Sequence, residues 1–171
     1  GTTDGLYSFT DQNEVEGPHV RDTRILSMMI DRDDNLWVAT GNRGAWRLAD
    51  GTWSNYGPEQ GFDRQVRFID LDLEGRPWFG GDRGVWSFPA SAGARFDASN
   101  GLMSDNIFLM RFAPDGQLWV GHNAGLDLIK DNEIIAHFDN RDGLADNELN
   151  VAEIRLSLGQ ALPYRRDLRL R

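Results

Sequence analysis

The chain has 171 residues, 40% of them hydrophobic, and a formal net charge of −9. That length supports a sizeable buried core, while the acidity leaves no broad basic face to neutralise phosphates and disfavours a nucleic-acid partner. With no cysteine, disulfides, thiolate catalysis and thiolate metal sites are excluded, and the sequence as read carries neither a signal peptide nor a membrane span.

In chain order, the opening Gly5-Leu6-Tyr7-Ser8-Phe9 reads as an alternating strand entered by a glycine. The pattern returns as Gly44-Ala45-Trp46-Arg47-Leu48, Gly84-Val85-Trp86-Ser87-Phe88 and Gly125-Leu126-Asp127-Leu128. Ile25, Met28 and Ile30 begin a longer unit, repeated by Val66, Ile69 and Leu71 and by Ile107, Met110 and Phe112. Each apolar strand runs into Asp33-Asp34, Glu74-Gly75 or Asp115-Gly116, an acidic residue followed by one that tolerates positive φ, which is hairpin chemistry. The hairpin delivers Leu36-Trp37-Val38, Pro77-Trp78-Phe79 and Leu118-Trp119-Val120, with the tryptophans 41 residues apart. A more polar fourth strand follows at Thr52 to Tyr56, Ala94 to Asp97 and Ile134 to Phe138, ending before Gly61-Phe62, Gly101-Leu102 and Gly143-Leu144.

Four antiparallel strands per unit of about forty residues predict an all-β fold, a β-propeller built from four-stranded blades. Trp37, Trp78 and Trp119 are then blade-packing residues, each ring burying area worth about 2 to 3 kcal/mol. The boundaries are a half-blade at about 1–20, blades at about 21–62, 63–102 and 103–144, and a partial blade at 145–162. In that last unit Leu149, Ala152 and Ile154 reproduce the first strand, and Leu162 takes the place of the tryptophan. An atypical basic tail, 159–171, contains Arg165, Arg166, Arg169 and Arg171. Three blades and two halves either close a four-bladed ring or form part of a larger one, and an open arc would need further sequence, self-association or a partner to cover its edges.

The repeated Leu-Trp-Val strand, its acidic turn and the later Gly-Ala or Gly-Leu resemble the two-component regulator propeller repeat. Asp115-Gly116-Gln117-Leu118-Trp119-Val120-Gly121-His122-Asn123-Ala124-Gly125-Leu126 resembles it most fully, and the likeness runs from about Gly1 to Asn150. The resemblance implies an extracytoplasmic, periplasmic sensor propeller of a bacterial hybrid histidine kinase or related signalling protein, detecting small molecules such as glycans. Kinase, cyclase or membrane-spanning functions would belong to other parts of a parent protein. Two departures stand out: Pro77 removes a ladder donor and predicts an irregular edge, and Asp127 occupies the place of Trp46 and Trp86.

No cofactor or metal is expected. His19, His122 and His137 lack metal-like spacing, and Asp31-Arg32-Asp33-Asp34-Asn35 and Asp70-Leu71-Asp72-Leu73-Glu74-Gly75 look like calcium loops but coincide with the repeat's turns. Loops after the tryptophan strands and between blades should share one face. They make Asn42, Arg43, Asp63, Arg64, Asp82, Arg83, Asp105, Asn106, His122, Asn123, Asp146 and Asn147 the polar rim that meets a small-molecule or protein partner. Arg43 and Arg83 could grip a carboxylate or sugar hydroxyls, or pair with Asp63 or Asp105 of a neighbouring blade. The expected role is non-catalytic ligand sensing or protein interaction. The alternative is a propeller lyase or glycan-processing enzyme using the rim acids and His122, which could face a channel mouth or be an ordinary loop histidine.

Overall fold

The computed structural model describes residues 3–9 and 15–144. The partial blade at 145–162, the basic tail, Asp146 and Asn147 lie outside them. A two-stranded sheet, β1 (Gly5–Phe9) and β2 (Val15–Arg21), is followed by three four-stranded meanders. These are β3 (Ile25–Ile30), β4 (Leu36–Thr40), β5 (Ala45–Ala49) and β6 (Thr52–Tyr56); β7 (Val66–Leu71), β8 (Pro77–Gly81), β9 (Gly84–Ser87) and β10 (Arg95–Phe96); and β11 (Ile107–Phe112), β12 (Leu118–His122), β13 (Gly125–Lys130) and β14 (Glu133–Phe138). All pairings are antiparallel. The first strands of consecutive sheets approach one another, β3 against β7 and β7 against β11, so the sheets fan out from a common inner edge as propeller blades do.

The recurring residues have physical causes. Asp34, Gly75 and Gly116 share one left-handed turn position, at φ of 60°, 80° and 83°, where glycine costs least. The glycine opening each third strand faces a different demand. A Cβ on Gly44, Gly84 or Gly125 would lie 2.1, 2.0 or 2.2 Å from the carbonyl oxygen of Tyr56, Phe96 or Phe138, and one on Gly5 would lie 2.1 Å from that of Val20. The outer hairpin of a blade can close there only around a residue without a side chain.

Strand alternation sends one face of each sheet to the preceding blade and the other to the following one. Trp37 leaves its own sheet to meet Phe79 and Phe88 at centroid distances of 5.2 and 5.0 Å, and Trp78 meets Phe112 of the third sheet at 5.6 Å. Trp119 stacks on Phe138 of its own sheet at 5.9 Å. The core is accordingly laid down between sheets: Trp37, Phe62, Val66, Phe79 and Trp86 fill the first inter-blade layer, and Trp78, Val85, Ile107, Met110, Val120 and Ile129 the second.

The expected irregularity at Pro77 takes another form. Pro77 begins the interior strand β8, not an edge, and is buried opposite Leu71. Its carbonyl accepts from the Phe88 N–H at 2.9 Å, but without an N–H of its own it cannot return the bond. The β8–β9 ladder therefore stops at Trp78↔Ser87, one pair earlier than β4–β5, which continues to Leu36↔Leu48.

Candidate functional site: a polar cleft on the loop face

Each inter-blade loop is built the same way. Phe62, Leu102 and Leu144 donate their N–H to Gly57, Asp97 and Asp139, closing a compact turn. The preceding glycine is left-handed in each, with φ of 81°, 122° and 102°. The buried apolar residue after it pins the loop to the core. The loop then passes the hairpin between second and third strands, where Gly44 N–H reaches Arg64 O at 2.7 Å and Gly84 N–H reaches Asp105 O at 2.8 Å. These bonds put both loop types on one face.

On the second blade that face opens into a cleft of about 440 Å³, bounded by the loop that enters the blade, with Pro58, Gly61 and Phe62, and by the loop that leaves it toward the third. Asp63, Arg83 and Asp105 of the expected rim line it together with Arg95, Asp97 and Ser99, which the repeat pattern did not single out. Asp63 is buried, its Oδ1 lies 3.5 Å from Arg95 Nη2, and its Oδ2 has no hydrogen-bond partner. Burial pushes the Asp63 carboxyl above its ordinary range, opposed by the charges of Arg95 and Arg83. Arg95 is held on all sides: its Nη2 donates to Arg83 O at 3.0 Å, its Nε lies 3.5 Å from Asp97 Oδ2, and it sits 5.3 Å above the Trp86 ring. Asp97 accepts from Ser99 N–H and Oγ at 2.9 and 2.5 Å, and Asp105 Oδ1 accepts from Ala98 N–H at 2.6 Å. The hydrogen bonds from Ser99 hold the Asp97 carboxyl below its ordinary range.

The other rim residues fall into separate groups. Arg67 of β7 joins Asp82 at 2.5 Å and Asn106 at 2.6 Å. Asn123 accepts from Ser104 Oγ at 2.6 Å. Arg43 pairs with Asp22 at 3.7 Å, not with Asp63 or Asp105, and the ion pair made by Asp63 comes from Arg95. Asn42 and Arg64 lie on the loop face away from the cleft lining.

His122 requires a correction. It does not face a channel mouth: it ends β12 with 0% exposure, because alternation puts it on the same face as Leu118 and Val120, toward the second blade. There Ala124 N–H donates to Nδ1 at 3.2 Å, so Nε2–H donates to Asp127 Oδ2 at 3.0 Å. Asp127 also meets His137 Nδ1 at 2.6 Å and accepts the Met103 N–H at 2.9 Å. Burial would raise the Asp127 carboxyl, but the hydrogen bonds from His122, His137 and Met103 more than offset it and hold the carboxyl below its ordinary range. The group joins the third sheet to the loop that lines the cleft. His122 and Asp127 are enclosed, whereas the His137 side chain is 49% exposed.

The calcium-like stretches are likewise accounted for. Asp31 accepts from Asp33 and Asn35 N–H and from Trp37 Nε1 at 2.8 Å. Asp72 does the same for Glu74, Arg76 and Trp78 Nε1, the last at 3.1 Å. Both acids stand six residues before the tryptophan, a recurrence visible in the sequence.

The comparisons agree with this architecture. Residues 19–42 match the two component regulator propeller family. No protein of curated function matches the chain. Among solved structures, the extracellular domain of a one component system protein from B. thetaiotaomicron is similar with TM-score 0.71 and 18% identity, over 91% of this chain and 25% of that one. The extracellular domain of a hybrid two component system protein from the same organism gives TM-score 0.64 and 17% identity, over 89% and 22%. Virginiamycin B lyase from Staphylococcus aureus gives 0.59 and 15%, over 80% and 48%. These likenesses establish a propeller fold, and the chain spans about a quarter of the length of the first of these propellers.

Proposed function

We propose that this chain is a non-catalytic binding segment of an extracytoplasmic sensor propeller in a bacterial signalling protein. The observation that carries the reading is the cleft lined by Asp63, Arg83 and Asp105, where the two loops flanking the second blade meet its β8–β9 hairpin. Similarity to extracellular domains of two-component systems supports the placement outside the cytoplasm. A ligand seated there touches both loops that join the second blade to its neighbours, so binding would alter how the blades pack and pass the event to the rest of a larger protein. The rim acids serve orientation in this reading: Asp97 and Asp105 already hold loop amides, and the buried His122 offers no proton to a substrate in the cleft.

The test is a thermal-shift screen of soluble metabolites and oligosaccharides, followed by calorimetric titration and mass spectrometry of any binder. Saturable binding of an unchanged compound, lost in Arg83→Ala, is expected. Turnover that disappears in Asp63→Asn or His122→Ala would overturn the reading in favour of an enzyme, and the absence of any binder would overturn it outright.

A further inference from the structure

The residue before the left-handed glycine of each inter-blade turn has one task in common. The side-chain oxygen of Gln60 accepts the Gly57 N–H at 2.9 Å, that of Asn100 the Asp97 N–H at 2.7 Å, and that of Asp142 the Asp139 N–H at 3.1 Å. The turn therefore needs an acceptor there and tolerates three ways of supplying it. Asn100 brings a further chemistry, because it is the one asparagine of the sequence followed by glycine. With no Cβ on Gly101, nothing shields the main-chain nitrogen from the neighbouring amide carbon. Both residues are exposed, and the Gly101 N–H has no acceptor among the described residues. The Asp97 N–H already donates to the amide oxygen, where negative charge develops when a nucleophile adds to that carbon.

We propose that Asn100 is a modification site, at which the folded chain deamidates to aspartate and isoaspartate. The Gly101 nitrogen gives its proton to a solvent base and bonds to Asn100 Cγ. The Cγ–Nδ2 bond then breaks, and the nitrogen leaves as ammonia after taking a proton from water. Water opens the cyclic imide that remains. Opening at Cγ leaves an aspartate, and opening at the main-chain carbonyl of residue 100 leaves isoaspartate, with the chain running through Cγ. One water is consumed and one ammonia released. The consequence falls on the loop that lines the cleft. Asn100 Nδ2 donates to Arg95 O at 2.7 Å, a tie that the carboxylate of either product cannot make. Isoaspartate also lengthens the main chain inside the turn that the Leu102 N–H closes on Asp97 O at 3.0 Å. The cleft wall carrying Asp97 and Ser99 is loosened as a result. The modification stands whether or not the cleft takes a ligand.

The experiment ages the intact chain at neutral pH and physiological temperature, beside a synthetic peptide of residues 96–111, the span that trypsin releases between Arg95 and Arg111. Tryptic peptides are compared with a zero-time sample by mass spectrometry, with electron-transfer fragmentation to separate aspartate from isoaspartate. Both products are expected at residue 100 of the folded chain. Asn42, Asn106 and Asn123, which precede Arg43, Ile107 and Ala124, should convert more slowly by about tenfold or more. Asn100→Gln keeps the acceptor, as Gln60 does, and should stay unconverted with a native circular dichroism spectrum. The amides of Ala98, Ser99 and Leu102 should exchange hydrogen faster in the aged chain, and no faster in Asn100→Gln aged in parallel. The proposal is overturned if Asn100 stays intact in the folded chain over the interval in which the peptide converts, because the fold then protects it. Equal conversion at the other asparagines, or unchanged exchange in a chain that has converted, overturns it as well.

Discussion

The second and third blades answer the same repeat with opposite placements of buried charge. In the second, Asp72 sits at the turn, where it accepts two backbone N–H groups and the Trp78 indole, and the middle of the sheet is filled by Trp86. In the third, Ala113 takes the turn position and Trp119 Nε1 has no partner, while the middle holds Asp127 with His122 and His137. The turn backbone is nevertheless the same, since Gly75 N–H reaches Asp72 O and Gly116 N–H reaches Ala113 O, each at 2.9 Å. Backbone geometry thus belongs to the repeat, whereas the position of the polar anchor is free to move, provided its hydrogen bonds are met at the new place.

The sharpest way to break this comparison is to remove the third blade's anchor. Asp127→Ala strands the buried His122 N–H and the Met103 amide, and should cost about 3 kcal/mol in urea unfolding. A loss no larger than that of the exposed Glu133→Ala would sink the idea that the cluster holds the blade. The pH dependence has a definite sign. Because the Asp127 carboxyl is lowered from 3.8, its contribution is present above the unfolded-state pKa and is lost only as pH falls through the lower folded value.

The corresponding change in the second blade, Asp72→Ala, should cost about 2 kcal/mol, because the turn amides can regain water but the buried indole cannot. The reciprocal substitution sharpens the comparison. Ala113→Asp gives Trp119 Nε1 the acceptor that Trp37 and Trp78 possess, and should stabilise the chain by up to about 1 kcal/mol. A lower unfolding midpoint would show that the third turn does not admit the side chain.

The smallest effect concerns the loops. Asp63 follows Phe62 as Met103 follows Leu102, yet only Asp63 carries a charge into its layer. With its carboxyl raised by burial, ionisation works against folding, so Asp63→Asn should stabilise the free chain at neutral pH by less than about 1 kcal/mol. That advantage should vanish as pH falls below the folded-state pKa and Asp63 protonates. An unfolding midpoint that drops in the variant at neutral pH would mean that Asp63 is already satisfied in the free chain.

Much of the fold was legible because it rests on local rules repeated several times. The turn glycines, the acid before them and the alternating strands recur at fixed offsets, and their causes lie within a few residues: a left-handed φ, or a carbonyl 2 Å from where a Cβ would stand. Asp31 and Asp72 were equally regular, although their partnership with the indoles emerges only once the hairpin folds back. The site was less legible. Arg95 reaches Asp63 from the outer strand β10, which pairs with β9 only at Arg95↔Trp86 and Phe96↔Val85 after an irregular loop, and no local pattern predicts where such a loop resumes pairing. His122 was misplaced because the end of a strand suggests exposure: alternation fixes its face, but its burial comes from what packs against that face.

The sequence by itself determined the blades, their order and which glycines and tryptophans they require, because hydrogen-bonded hairpins and period-two burial are local or nearly so. Only the tertiary structure decided which polar groups meet. Asp63 with Arg95, Arg67 with Asn106 and Asp127 with Met103 each join residues 24 or more positions apart, and their partners are chosen by how the inter-blade loops lie against the sheets. Whether a charge becomes an anchor, as at Asp127, or keeps an unused oxygen, as at Asp63, depends on the groups that its own sheet and the adjoining loops bring within reach.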